Sequence, residues 1–133
     1  MLGGRAIALP LPESVYVSDT DNNRVIKWLE ATTEGILVAG GQGSGNDITQ
    51  LLHPLGVVVD ALGTVYIADC INNRVMCWIN GASHGDIIAG ANVEGTEANQ
   101  FYYPIGLSFD RHGNLYGFDE RNHRVQQFKI EHN

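Results

Sequence analysis

The chain repeats itself at a fixed interval of fifty residues, and that repeat limits its fold more than any other feature. Residues 15–64 align with 65–114 without an insertion, and seventeen of the fifty positions are identical. The unit then begins a third time. Leu115-Tyr116-Gly117-Phe118-Asp119 follows Val15-Tyr16-Val17-Ser18-Asp19 and Val65-Tyr66-Ile67-Ala68-Asp69, and nineteen residues of this third copy are present. A unit of this length is one supersecondary element that cannot bury its apolar faces alone, so it stacks on copies of itself.

The pattern inside the unit says how it stacks. Residues 56–60, 64–69, 74–79 and 86–90 are four β-branched and aromatic runs, each bounded by Gly, Asn, Asp or Pro. Helical periodicity is absent from every ten-residue window. Four short strands in a unit of this size predict a β-propeller blade, and their nearly continuous apolar runs suit sheets covered on both faces by neighbours. The expected fold is all-β: a partial propeller of three four-stranded antiparallel blades, the third lacking its outer strand. The blades are placed at 4–53, 54–103 and 104–133. The first inner strand is expected at Ala6-Ile7-Ala8-Leu9, where Gly4 replaces the Pro of the later repeats and Pro10 replaces Asp60 or Asp110.

The turns have local chemistry. Gly63 and Gly113 supply positive φ to tight hairpins, and Asp60 and Asp110 are read as strand-end turn residues. Asn22-Asn23, Asn72-Asn73 and Asn122-His123 lie between second and third strands, where Asn tolerates left-handed geometry. Pro54 and Pro104 precede the inner strand, where a missing amide donor costs little.

Asp69-Cys70-Ile71-Asn72-Asn73-Arg74-Val75, its counterparts at 19–25 and 119–125, and the segments 54–60 and 63–69 together resemble the NHL repeat. The resemblance spans essentially the whole chain. Trp28 and Trp78 are followed by Leu29 and Ile79, so the Trp-Asp dipeptide of another propeller repeat is missing. Kelch blades need a double Gly, which Gly40-Gly41 has and Gly90-Ala91 lacks. The NHL resemblance implies a propeller, commonly six-bladed, that binds through one face of its disc. It also implies that Asp19, Asp69 and Asp119, Asn23 and Asn73, and Arg24, Arg74 and Arg124 are structural. The spacing agrees, since a hairpin brace is needed in every blade and a catalytic residue once per ring.

A ring must close to remove its exposed edges. Ile7, Leu9, Phe109 and Phe118 are expected on open end faces. The chain is then a piece of a longer propeller, one of two copies closing a six-bladed ring, or an open arc, and the first is favoured. The turns between strands two and three emerge on the same side as the links Gly41 to His53 and Ala91 to Tyr103. That side is the variable, loop-rich face, where recognition usually resides. Gln50, His53, Tyr102 and Tyr103 are its candidate contact residues, with covering of the blade junction as the structural alternative for the two tyrosines.

Composition narrows the partners. The net charge is -7, and neither long link contains Lys or Arg, so the basic face that RNA binding requires is lacking. No apolar run approaches the ~18 residues of a membrane span, and 6–11 is too short and Pro-interrupted for a signal core; a soluble chain is expected, in a compartment left open. Cys70 and Cys77 have no cysteine counterparts in the other repeats, so free thiols are expected. An NHL-like peptide-amidating lyase holds zinc through histidines. Here His53 is the best-placed candidate, but its counterparts are Gly3 and Tyr103, and His84, His112, His123 and His132 do not converge. The expected function is a protein-binding or scaffolding module, not an enzyme, with no catalytic, cofactor or metal site. The alternatives are a noncatalytic part of an enzyme or tripartite-motif ubiquitin ligase, and an RNA platform.

Overall fold

Each apolar run pairs with the next through a short turn, so that every unit of sequence becomes one meandering sheet. The computed structural model describes residues 4–11, 14–29, 34–90, 101 and 103–128, with the first stretch described by its backbone alone. The first sheet comprises β1 (Gly4–Leu11), β2 (Ser14–Asp19), β3 (Arg24–Leu29) and β4 (Gly35–Gly40), in that order. The second comprises β5 (Pro54–Val59), β6 (Val65–Asp69), β7 (Arg74–Trp78) and β8 (Asp86–Gly90). The third, among the described residues, comprises β9 (Pro104–Phe109), β10 (Leu115–Asp119) and β11 (Arg124–Phe128). All the pairings within the sheets are antiparallel. This is the expected all-β propeller arc. Residues 129–133, where the outer strand of the third blade was expected to be missing, lie outside the described residues.

Turn chemistry fixes the register. Asp60 Oδ1 accepts the amides of Leu62 and Thr64, each at 2.9 Å, while Gly63 takes φ 83°. Asp110 does the same for His112 and Asn114 at 2.8 and 3.0 Å, with Gly113 at φ 82°. At the other end, a single 3-10 turn at Thr20–Asn22 or Glu120–Asn122 leads into a left-handed residue. Asn23, Asn73 and His123 occupy that position at φ 55°, 53° and 51°.

The second sheet lies between the other two. One of its faces contributes Val57, Val65, Ile67, Met76 and Trp78 to a core shared with Tyr16, Val25 and Ala39 of the first sheet, closed by Leu51 from the link. The opposite face contributes Tyr66, Val75 and Ala89 to a core shared with Leu115, Leu107, Phe109 and Phe128 of the third, closed by Phe101. Every residue of β6 is buried in consequence. One expectation is corrected here. Phe109 is not on an open end face, because its ring meets Tyr66 edge-on at 5.4 Å across the junction of the second and third sheets. Phe118 is exposed, whereas the side chains of Ile7 and Leu9 lie outside the described residues. The inner strand β1 is present and runs beyond Leu9 to Leu11.

The inner strands β1, β5 and β9 stand side by side. Their approach is close enough to require glycine at one position. A Cβ on Gly56 would lie 2.8 Å from the Leu107 nitrogen and 2.9 Å from both the Gly106 Cα and the Ile105 oxygen, all of them backbone atoms that cannot swing aside. Gly56→Ala should therefore lower stability by about 1–3 kcal/mol, the usual cost of overpacking, read as a reduced midpoint in urea unfolding.

Candidate binding face

The loop-bearing end of the sheets is built around a buried ion pair. Asp69 ends β6 and Arg74 begins β7, so the intervening turn brings the Arg74 Nε to 2.7 Å from Asp69 Oδ2, with both side chains fully buried. A buried charge is tolerated only when its remaining donors and acceptors are also satisfied. Here the link 41–53 supplies them. Arg74 donates to the carbonyls of Asn46 at 2.9 Å and of Asp47 and Gln50 at 3.0 Å. Asn72 Nδ2 donates to Asp69 and to the Gly45 carbonyl, and the Leu52 amide donates to Asp69 Oδ1 at 2.7 Å. Burial pushes the Asp69 carboxyl above its ordinary pKa, against the opposing pull of Leu52, Asn72 and Arg74.

The first and third sheets carry the same pair at Asp19–Arg24 and Asp119–Arg124, at 2.7 and 3.0 Å. Their arginines are 37 % and 29 % exposed, against 0 % for Arg74. The link 41–53 wraps around Arg74 and covers it.

A second device joins each blade to the next. Asn23 Oδ1 accepts the His53 amide, and Asn73 Oδ1 accepts the Tyr103 amide, both at 2.9 Å. Thr20 Oγ1 and Ser18 Oγ donate to the carbonyls of Pro54 and Leu55 at 2.8 and 2.7 Å. The Ile71 amide donates to the Leu52 carbonyl, and the Glu120 amide to the Tyr103 carbonyl. These bonds bring the turns and the starts of the inner strands to one end of the arc.

His53 and Tyr103 sit there in an unusual conformation, at φ 58° and 72°. A residue before proline normally adopts extended backbone, and a side chain at positive φ costs roughly 1–2 kcal/mol. Such strain persists only where the surroundings dictate it. The dictating contact is the asparagine side chain. The sequence contained no signal for it, since neither residue is Gly or Asn. Both side chains are half-buried. Arg121 stacks its guanidinium 4.7 Å from the Tyr103 ring centre, and Cys70 and burial raise the phenol's pKa.

Gln50 is placed differently. Its Oε1 accepts the Asp47 amide at 3.3 Å and its Nε2 donates to the Gln42 carbonyl at 2.9 Å, so it braces the link from within. Tyr102 and most of the link from Ala91 lie outside the described residues. Cys70 and Cys77 are free thiols, and burial pushes Cys70 up to about 12 and raises Cys77. Among the described residues there is no group of three or more His, Cys, Asp or Glu side chains that could hold a metal, and no helix long and apolar enough to cross a membrane.

Residues 51–78 match the family model of the NHL repeat, covering the Pro54 inner strand, the Asp69–Arg74 turn and β7. The chain carries an NHL repeat. No curated protein matches it. Among solved structures, an auxiliary nutrient binding protein from Bacteroides thetaiotaomicron is similar, with a TM-score of 0.72 and 15% identity over 91% of this chain and 36% of that one. A protein of unknown function from the same bacterium also scores 0.72, at 18% identity over 86% and 32%. A catalytically inactive virginiamycin B lyase from Staphylococcus aureus with quinupristin scores 0.57, at 14% identity over 98% and 42%. These likenesses concern the fold. The chain spans between 32% and 42% of the length of these three structures.

Two measurements follow from the ion pairs and turns. Arg74→Ala leaves Asp69 buried without its cation, and should lower stability by about 3–5 kcal/mol; Arg24→Ala, at a partly exposed copy of the same pair, should lower the urea midpoint far less. Asp110 gives a pH signature, because the Asn114 side chain and the amides around the turn hold its carboxyl at about 2, well below the usual carboxylate range. A depressed carboxyl pKa contributes stability above the unfolded value that is lost as pH falls. The melting temperature should decline between pH 4 and pH 2, and Asp110→Asn should flatten that decline.

Proposed function

We infer that this NHL arc is a binding module that engages a protein partner through its loop end, as part of a larger propeller. The observation that carries the reading is the pair of strained positions at His53 and Tyr103. Each is gripped through its backbone amide by the asparagine of the preceding blade, so the frame recurs while the side chain differs. Positions of that kind are suited to selectivity on a rigid scaffold.

Charge favours a protein over a nucleic acid. The link 41–53 carries Asp47 and no Lys or Arg, whereas a phosphate backbone is held by clustered cations. The solved propellers that resemble the chain include a binding protein and a lyase, so their likeness does not choose between those roles.

The test is a peptide-display selection on the immobilised chain. Selected peptides should lose at least tenfold in affinity for His53→Gly and Tyr103→Gly. The melting temperature should hold or rise in both variants, because glycine relieves the left-handed strain. Peptides that bind these variants as tightly as the parent, or homopolymer RNA binding that collapses with salt, would overturn the reading.

A further inference from the structure

We propose that the junction of the first and second sheets holds a separate binding site, away from the loop end, for a small carboxylate on a compact apolar body. The site is a cavity of about 280 Å³ at the opposite end of the sheets. There the β5–β6 turn at Gly63 and the β7–β8 turn at Asn80 and Gly81 face Tyr16, Lys27 and the edge strand β4. The same place in successive repeats shows what the first blade has exchanged.

In the second and third blades a carboxylate caps the tyrosine of the second strand. Tyr66 donates its hydroxyl to Asp60 Oδ2 at 3.4 Å, and Tyr116 donates to Asp110 Oδ2 at 3.2 Å. The first blade keeps the tyrosine as Tyr16 but has Pro10 where the aspartate would stand. Tyr16 is 3 % exposed, and its hydroxyl has no protein partner among the described residues. That hydroxyl is not sealed in, because among the described residues Ser14 Oγ is the one buried side-chain polar atom without a partner. The cavity that Tyr16 lines gives it its outlet.

The residue across from the tyrosine reverses the local charge. Opposite Tyr66 stands Cys77, whose thiol is pushed up by burial, by Asp86 and by Asp60, so two carboxylates bear on that position. Opposite Tyr16 stands Lys27, and Ile36 replaces Asp86 beside it. One spot thus trades two carboxylates for an ammonium. Lys27 Nζ lies 5.7 Å from the centre of the Tyr16 ring, whose face attracts a cation. Among the described residues no carboxylate pairs with it. An ammonium and an unpaired hydroxyl side by side are donors for one anion. An incoming carboxylate restores to Tyr16 the partner that Tyr66 and Tyr116 have within the chain.

The remaining wall defines the body of the ligand. Ile36 and Leu37 line the cavity while 50 % and 46 % exposed, so β4 offers apolar surface that the chain leaves in water. A cavity of about 150 Å³ takes a benzene ring, which leaves room here for a ring and a short acid arm. Small-molecule sites are built in this way, with a few convergent polar groups on an apolar lining.

The experiment titrates hydrocinnamate into the isotope-labelled full chain, with the backbone amide resonances of Gly63 and Gly81 as reporters. Both should move at millimolar concentration. Hydrocinnamide has the same shape without the charge and should bind about tenfold more weakly, and Lys27→Gln, which installs the residue of the third blade, should weaken hydrocinnamate by about tenfold. Tyr16→Phe should weaken it about threefold, with the rest of the amide spectrum unchanged. The loop-end variants His53→Gly and Tyr103→Gly should bind hydrocinnamate as the parent does, so this site stands or falls separately from the peptide reading. Equal affinity for the acid and the amide overturns the proposal, as does a Lys27→Gln variant with the parent's affinity. Silence at Gly63 and Gly81 overturns it too. Tighter binding of a peptide ending in phenylalanine would assign the site to chain ends and overturn the free acid.

Discussion

The arrangement depends on how a link of irregular backbone is satisfied. Residues 41–53 are held in part by bonds of their own, and those of their carbonyls that face the sheet need donors, because a buried backbone group without a partner is costly. Arg74 resolves this with a planar fork of donors aimed at three link carbonyls, while Asp69 neutralises its charge and accepts the Leu52 amide. Leu51 is thereby held in the core between the first two sheets. Lysine could not substitute for the fork, since it offers a point charge without fixed directions. Ion pair, link and apolar plug form one cooperative unit, and blade stacking relies on it.

The junctions are alike in plan and different in material. Between the first and second sheets, hydroxyls of Ser18 and Thr20 bond to the backbone of Leu55 and Pro54. At the next junction Ala68 and Cys70 occupy those positions, and aromatic packing takes a larger share, with Tyr66 against Phe109 and Phe101 against Phe128. Hydrogen bonds and apolar area thus serve the same geometric end. The asparagine bond to the pre-proline amide is common to both junctions and independent of that exchange.

Most of the fold was legible in the sequence because its determinants are local and recur. The hairpin at Asp60–Thr64 needs only a carboxylate and a glycine at the right offsets, and the strand runs are marked by their ends. What could not be read is what depends on contact between blades. Phe109 was expected on an open face because its position in the strand does not reveal which junction it enters. Gly56 carries no mark distinguishing a close approach from a turn. The role of Asn73 as a tie to Tyr103 was hidden by its equally valid role as a left-handed residue, since one side chain performs both. Gln50 reads as a contact residue in the sequence, and its amide turns inward to the link instead.

The manner in which His53 and Tyr103 are held has an evolutionary consequence. The asparagine grips only the backbone N–H, which every amino acid except proline possesses, and the bond itself does not involve the side chain. The frame is thereby held separately from the group it presents, within the residues that tolerate positive φ. A lineage of such blades can exchange one recognition group for another in single steps, without renegotiating the frame that presents it.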